Sequence, residues 1–441
     1  MNKQLSAVVL AAGLGTRMRS ETPKHLHPLL GRRLVDWVIE AARALDPKPL
    51  VVVTSPDAQD AFDGVEVAIQ EEPRGTGDAA AAARKALDGF NGDVLVVSGD
   101  AAAIPPETLE RLLETHRSAG SAATVLSFER DDPADYGRIV RDATGDLEAI
   151  VEAGDATDEQ RAITEVNSSI YVFVAGKLWP ALDQLRPENR QGELYLTDTV
   201  RELVGQGEQV AVFKADDDIE IGVNTRAELA ATAAQLRDRI NEAHMLAGAT
   251  IVDPQTTWID PSVELEPDST IQPFTVLRGE TKVARGAEVG PHAVVIDSEV
   301  GPDALVGPFC YLRPGTVLEA GAKAGAFVEV KNSRLGAGVK AAHQSYIGDA
   351  DIGEGTNIGA GNITANFPHE EGKPKGRTKI GRNVRTGVHN AFVAPVEIGD
   401  DAWIGAGSVI TEDVPPEALA VARTRQENNE GYVRRKRKQD G

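Results

Sequence analysis

Thiols, aromatic rings, long apolar runs and positive charge are all scarce in this chain, and each shortage excludes something. Cys310 is the single cysteine among 441 residues, which leaves no partner for an intrachain disulfide and too few thiolates for a zinc–cysteine cluster. Phe, Trp and Tyr together make up 5%. No apolar run approaches the roughly 20 residues of a membrane span, and residues 1–4 lack the start of a secretory leader. A soluble, cytoplasmic protein without a membrane span is therefore expected. Lys and Arg total 46 against 68 Asp and Glu, a formal net charge of −22. A field of that sign repels phosphate backbones, so nucleic acid is not an expected partner. The one basic run, residues 434–438, reads as a solvated tail. What remains is ordinary globular composition, 41% hydrophobic and 26% charged. At about 100–200 residues per domain, the length suits two or three domains.

The two halves carry different periodicities. In residues 1–225, β-branched runs at residues 7–11, 50–53 and 94–97 read as buried parallel strands, and residues 34–45, 78–87 and 106–119 as intervening helices. That alternation predicts a doubly wound α/β domain with ligands at the carboxyl ends of its strands. Residues 226–248 place Leu229, Ala233, Leu236, Ile240 and Met245 at helical spacing before Gly248, and predict one linker helix. Within residues 249–441 an aliphatic residue recurs every six positions as far as Ile410, with a shift of one between Val295 and Val300. Ile259, Leu265, Ile271, Leu277, Val283, Val289 and Val295 open the series; Ile380, Thr386, Phe392, Ile398, Ile404 and Ile410 close it. A period of six fits neither a helix nor a flat sheet; it marks a parallel β-helix with three short faces per coil. Residues 359–379 break the count, where a functional loop would project.

The first strand runs into a glycine-rich turn, Leu10-Ala-Ala-Gly-Leu-Gly-Thr-Arg-Met18, followed by Pro23 and Lys24. Glycines at a strand-to-helix turn let backbone N–H groups approach phosphates, and Arg17 and Lys24 add full positive charges. The spacing matches neither the dinucleotide fingerprint nor the Walker loop.

LAAGLGTRM followed by PK resembles the signature of sugar-1-phosphate nucleotidyltransferases. The whole chain is similar to the bifunctional uridylyltransferase/acetyltransferases that make UDP-N-acetylglucosamine. The likeness extends through VVSGD ending at Asp100, DYGRI at Ile139, IVEAGDAT at Thr157, EVN at Asn167, ELYLTD at Asp198 and GVN at Asn224. It continues through LRPGT ending at Thr316, FVEVKNSR at Arg334, AAHQSYIGD at Asp349 and NIGAGN at Asn362. The resemblance implies that Leu10, Ala11, Ala12, Gly13 and Lys24 hold the nucleotide phosphates, with Arg17 and Lys24 as catalytic cations. It implies Gln70, Gly75 and Thr76 on the uracil side, and Ser98 and Gly99 lining the same nucleotide and sugar site. Gly137, Glu152 and Asn167 would recognise the amino sugar. Asp100 and Asn224, the latter reached through Ile221, Gly222 and Val223, would ligate Mg2+. The implied reaction is attack of a sugar-phosphate oxygen on the α-phosphorus of UTP, with release of pyrophosphate.

In the second half the resemblance makes the fold a left-handed β-helix and His343 the general base for acetyl transfer from acetyl-CoA to glucosamine-1-phosphate. A histidine with an ordinary pKa near 6.5 suits that work. Arg313 and Lys331 would clamp the sugar phosphate, with Tyr346 and Asn357 on the sugar hydroxyls and amine. Ala360, Asn366, Phe367, Val388, Ala406 and Arg423 match acetyl-CoA positions. Lys373, Lys375 and Arg377 either meet coenzyme phosphates or form a solvated turn. A homotrimer with acetyl-transfer sites between subunits is implied as well. Two other readings stay open. Ala101, Ala102, Ala103 and Ser169 allow a uridylyltransferase half of lower rate or altered specificity, and a purely structural β-helix would leave only nucleotidyl transfer.

Overall fold

The computed structural model describes residues 4–215, 222–368, 370 and 372–437. Its contacts divide the chain into two compact units, Met1–Leu236 and Arg237–Gly441. Met1, Ile221 and Lys438, which figure in the sequence reading, lie outside the described residues.

In the first unit Leu5–Ala11 pairs in parallel with Leu50–Thr54 on one side and Asp93–Ser98 on the other, and Glu66–Ile69 extends the sheet beyond Leu50–Thr54. These central strands are covered on both faces, which is why they read as unbroken Val/Leu runs rather than alternating ones. The expected helices are Leu34–Arg43, Thr76–Ala82 (continued by the 3-10 turn Ala83–Lys85) and Pro106–Ala119. The sheet is mixed, however. Glu165–Val174 runs antiparallel between Asp93–Ser98 and Ala123–Glu129, and Val210–Lys214 lies parallel at the edge. The strand Glu165–Val174 escapes an apolar-run reading because Asn167, Ser168 and Ser169 interrupt it at a shift of register, where Ser169 takes φ 62°.

The helix Arg226–Leu246 buries Leu236 against Leu34, Ala102 and Val223, with Leu229 and Ala233 packed alongside. Further on, Ile240 packs against the core of the second unit. Met245, expected on the same stripe, is exposed, because the packed stripe ends at Ile240. Gly248 then turns the chain at φ 104°.

The second unit is a parallel β-helix, consistent with the left-handed form. Among the described residues its strands form three parallel sheets of ten, nine and eight strands. A strand pairs with the third strand after it, as Thr270–Ile271 does with Glu288–Val289 and that strand with Leu305–Val306, until Trp403–Ile404, which pairs with the second strand after it, Leu419–Ala420. The side chains at six-residue steps point inward. Ile259, Ile271, Leu277, Val289, Val295, Leu312, Val330 and Ile398 form one continuous buried column. A coil with no helix to cover it can bury apolar surface only down its axis, and that requirement produces the period. The interruption in the count falls between the strands Ile363–Ala365 and Thr378–Ile380.

Candidate functional site

In the first unit the turns after Leu5–Ala11 and Asp93–Ser98 meet at the carboxyl ends of adjacent strands. Gly99 donates its N–H to the Leu10 carbonyl at 2.8 Å. A β-carbon on Gly99 would stand 2.7 Å from that oxygen, so the approach requires glycine. Leu10 is half-buried, Ala11 and Ala12 are buried, and Gly13 is exposed. Gly15 takes φ 59° with no room for a side chain beside Lys24. That close packing sets the 3-10 turn Lys24–Leu26 under the loop.

Lys24 is thereby brought to Asp100. Its ammonium donates to the Asp100 carboxylate and, at 3.1 Å, to Asn224 Oδ1. Asn224 is held in place by the Val223 N–H, which donates to the Asp100 carbonyl at 3.2 Å. Ser98 Oγ donates to Asp100 Oδ1 at 2.6 Å. Lys24 and Asp100 are each buried to 8% exposure. Burial alone would raise the Asp100 pKa. The charge of Lys24, His25 in its protonated form, and the hydrogen bonds from Lys24 and Ser98 instead hold it below the ordinary carboxylate value. His25, beside them, is pushed down to about 4 by burial and by Lys24, against the opposing pull of Asp100. No motif in the sequence marks His25, although it directly follows Lys24. Among the described residues no group of three or more His, Cys, Asp or Glu is placed to hold a metal. Two hard oxygens, from Asp100 and Asn224, nevertheless converge on one cationic point, which suits an ion that keeps most of its shell for water and phosphate.

Arg17 is not part of this group: it is exposed and pairs with Asp135 at 2.8 Å. At the next subsite Gln70 is buried and donates to the Gly75 carbonyl at 3.1 Å and to Asp78 at 2.9 Å, while Thr76 Oγ1 accepts from the Leu196 N–H at 2.9 Å. Gly137, Asn167 and Glu152 also come together. The Asn167 N–H donates to the Gly137 carbonyl at 2.8 Å, and a β-carbon on Gly137 would lie 3.6 Å from both Asn167 Cβ and Glu152 Oε2. Asn167 Nδ2 donates to the Tyr171 hydroxyl at 2.8 Å. Burial raises the Glu152 pKa, with Asp198, Asp155 and Glu193 adding repulsion, although Thr197 Oγ1 donates to it at 3.0 Å. Thr197 is a further lining residue; its signal was the ELYLTD run that contains it.

In the second unit Arg313, Lys331 and Tyr346 lie on consecutive coils of one face. Tyr311–Leu312 pairs with Glu329–Lys331, and that strand with Tyr346–Gly348. Arg313 donates to Glu329 at 2.9 Å, and Glu329 sits in register with Tyr346. Asn366 Nδ2 lies 3.4 Å from the Tyr346 hydroxyl and also donates to Asp349, which in turn accepts from Asn332 at 2.6 Å. Those two amides, with Lys331 and Lys375, keep the Asp349 pKa below its ordinary value despite the opposing effect of burial.

His343 ends the strand Lys340–His343 on another face, in register with Ala326, and is exposed. Its imidazole has no hydrogen-bond partner among the described residues. Asn357 is exposed, in register with Lys340. Three of the coenzyme candidates stack up the corner that carries His343. The Ala360 carbonyl accepts from the His389 N–H at 2.8 Å, the Val388 carbonyl accepts from the Gly407 N–H at 2.9 Å, and Ala406 directly precedes Gly407. Arg423 Cδ would lie 3.7 Å from a β-carbon on Gly407. Asn366 and Phe367 stand apart, at the start of the loop near Tyr346, with Phe367 75% exposed. Two of the loop cations are already engaged within the chain: Arg377 grips Asp351 with two hydrogen bonds, and Lys373 pairs with Glu370 at 2.6 Å.

Residues 7–202 match the family model described as MobA-like NTP transferase domain. Relatives named bifunctional protein GlmU match nearly the whole chain. The one from Corynebacterium efficiens is 46% identical over 98% of this chain and 94% of its own length. The Streptomyces coelicolor relative is 48% identical with the same coverage. That from Caldanaerobacter subterraneus is 41% identical over 98% of each chain. No helix among the described residues is long and apolar enough to cross a membrane.

Proposed function

We infer the work of each half from one premise: this chain belongs to the bifunctional GlmU family. It is a bifunctional enzyme of UDP-N-acetylglucosamine synthesis, an acetyltransferase joined to a uridylyltransferase. Residues 1–225 carry uridylyl transfer, 226–248 form the joining helix, and 249–441 carry acetyl transfer.

In the uridylyltransferase half the glycine-rich turn presents backbone N–H groups to the UTP phosphates, Gln70, Gly75 and Thr76 face the uracil, and Gly137, Glu152 and Asn167 hold the amino sugar. A phosphate oxygen of N-acetylglucosamine-1-phosphate attacks the α-phosphorus; the P–O bond to the β-phosphate breaks and pyrophosphate leaves. No protein nucleophile is required, so positioning and charge carry the rate. Asp100 and Asn224 are the residues that would hold Mg2+. A metal ion held there would neutralise charge on the triphosphate and on the leaving pyrophosphate. Lys24, on the same point, would offer its ammonium to the phosphates. The convergence of Lys24, Asp100 and Asn224 on one point carries this reading.

In the acetyltransferase half Arg313 and Lys331 grip the phosphate of glucosamine-1-phosphate, and Tyr346 and Asn357 hold the sugar. His343 takes a proton from the amine, whose nitrogen attacks the acetyl-CoA thioester; the C–S bond breaks and the coenzyme leaves as its thiol. Ala360, Val388, Ala406 and Arg423 line one side of the coenzyme and Asn366 with Phe367 the other. Those two sets stand on different parts of the coil, and His343 is exposed; both features support a homotrimer in which a neighbouring subunit completes the site. The lone, buried Cys310 supports a reducing, cytoplasmic setting. Pyrophosphate release from UTP and N-acetylglucosamine-1-phosphate, followed with and without a chelator, tests the metal. Turnover unaffected by complete Mg2+ removal would refute that part.

A further inference from the structure

His25 follows Lys24 on the floor of the nucleotide crevice and is only 4% exposed. Its ring lies against both strand-end turns. A β-carbon on Gly13 would stand 3.8 Å from His25 Cε1, and one on Gly99 would stand 3.1 Å from His25 Cδ2. Nε2 is bonded to both of those ring carbons, so it occupies the edge that faces the gap between the two glycines. Nδ1 is buried and finds no hydrogen-bond partner among the described residues. A neutral imidazole carries one N–H and one lone pair, and a buried N–H without an acceptor is the rarer and costlier arrangement. The less costly tautomer therefore has the proton on Nε2 and the lone pair on Nδ1.

We propose that His25 is a further nucleotide-binding residue, donating from Nε2–H to a phosphate oxygen held between Gly13 and Gly99. The proposal rests on the reading of that turn as the UTP phosphate site. A neutral donor suits the position, because a second cation beside Lys24 would weaken the attraction of Asp100 for a metal ion. The loop backbone and Lys24 supply the remaining donors, so His25 adds affinity and orientation rather than taking part in bond making.

Calorimetric titration of the full-length protein with UTP in the presence of Mg2+ compares the parent with His25→Phe and His25→Gln. Phe keeps the ring and removes the donor; the Gln carboxamide returns an N–H close to the Nε2 position. Loss of a hydrogen bond to a charged acceptor should weaken UTP binding roughly tenfold or more in His25→Phe. His25→Gln should bind within about threefold of the parent, and both variants should keep the parent's acetyl transfer and melting temperature. If His25→Phe does not fold, His25→Leu carries the same expectation. Parent-like binding by His25→Phe overturns the proposal. Equal weakening in His25→Phe and His25→Gln also overturns it, because it would mark a packing role alone. If the parent itself does not bind UTP, the nucleotide reading of the turn fails first and the proposal falls with it.

Discussion

Replacing Asp100 with Asn keeps the side-chain shape and removes the charge that faces Lys24. The Lys24 and Asp100 side chains are 10% and 12% exposed, so the ammonium would be left in a largely dry site with neutral partners. Breaking a buried pair from one side costs about 3–5 kcal/mol, because the remaining ion loses its compensation. The few per cent of water access and the surviving contact with Asn224 place the expectation at the low end, about 3 kcal/mol. Urea unfolding of Asp100→Asn, with Lys24→Met and the double variant alongside, measures it as a double-mutant cycle. Lys24→Met/Asp100→Asn should regain most of the stability lost by Asp100→Asn, since no unpaired charge remains, yet should not regain uridylyl transfer. The pH dependence has a definite sign. The folded Asp100 pKa lies below its unfolded value, so its contribution is present above the ordinary carboxylate range and is lost as pH falls through the folded value. A cost below about 1 kcal/mol for Asp100→Asn, or a double variant no more stable than the single one, would refute the reasoning.

Glu152 carries a raised pKa from burial, so its ionised form opposes folding at neutral pH and that penalty disappears as pH falls below the ordinary carboxylate value. Glu152→Gln should therefore be at least as stable as the parent at pH 7 while its KM for N-acetylglucosamine-1-phosphate rises; marked destabilisation at pH 7 counts against this. Gly99→Ala drives a methyl into the Leu10 carbonyl. It should cost about 1–3 kcal/mol of stability and lower uridylyl transfer without changing thiol release from acetyl-CoA. His343→Ala should slow acetyl transfer by about 10²–10⁴-fold, read as thiol release with glucosamine-1-phosphate, and a near-parental rate removes His343 as the base. Analytical ultracentrifugation coupled to the same assay should find acetylation only in the trimer; a fully acetylating monomer contradicts the shared-site reading.

The solenoid was legible because its core obeys one local rule, an inward and mostly aliphatic residue at about every sixth position, which holds on both sides of the break at residues 359–379 without reference to distant parts of the chain. The central strands of the first unit were legible for a similar reason: burial on both faces leaves unbroken apolar runs. Contacts that depend on tertiary packing were not. Glu165–Val174 joins the sheet antiparallel through a bulge at Ser169 that hides its pattern. Arg17 looks like a phosphate-binding cation from its place in the glycine-rich run, and only the fold shows that it pairs with Asp135, far along the chain. The same applies to Arg377, whose engagement by Asp351 depends on strands of adjacent coils being stacked in register across the inserted loop. His25 carries no motif of its own; only the folded positions of Gly13 and Gly99 show what its ring faces.

The claim that one chain houses two independent active sites is tested most directly by assaying both half-reactions on the same preparations of the parent, Asp100→Asn and His343→Ala. Thiol release from acetyl-CoA with glucosamine-1-phosphate reports one site, and pyrophosphate release from UTP with N-acetylglucosamine-1-phosphate reports the other. The parent should perform both, Asp100→Asn should lose only pyrophosphate release, and His343→Ala should lose only thiol release. A parent lacking either activity, or a single variant that abolishes both while remaining folded, would contradict it.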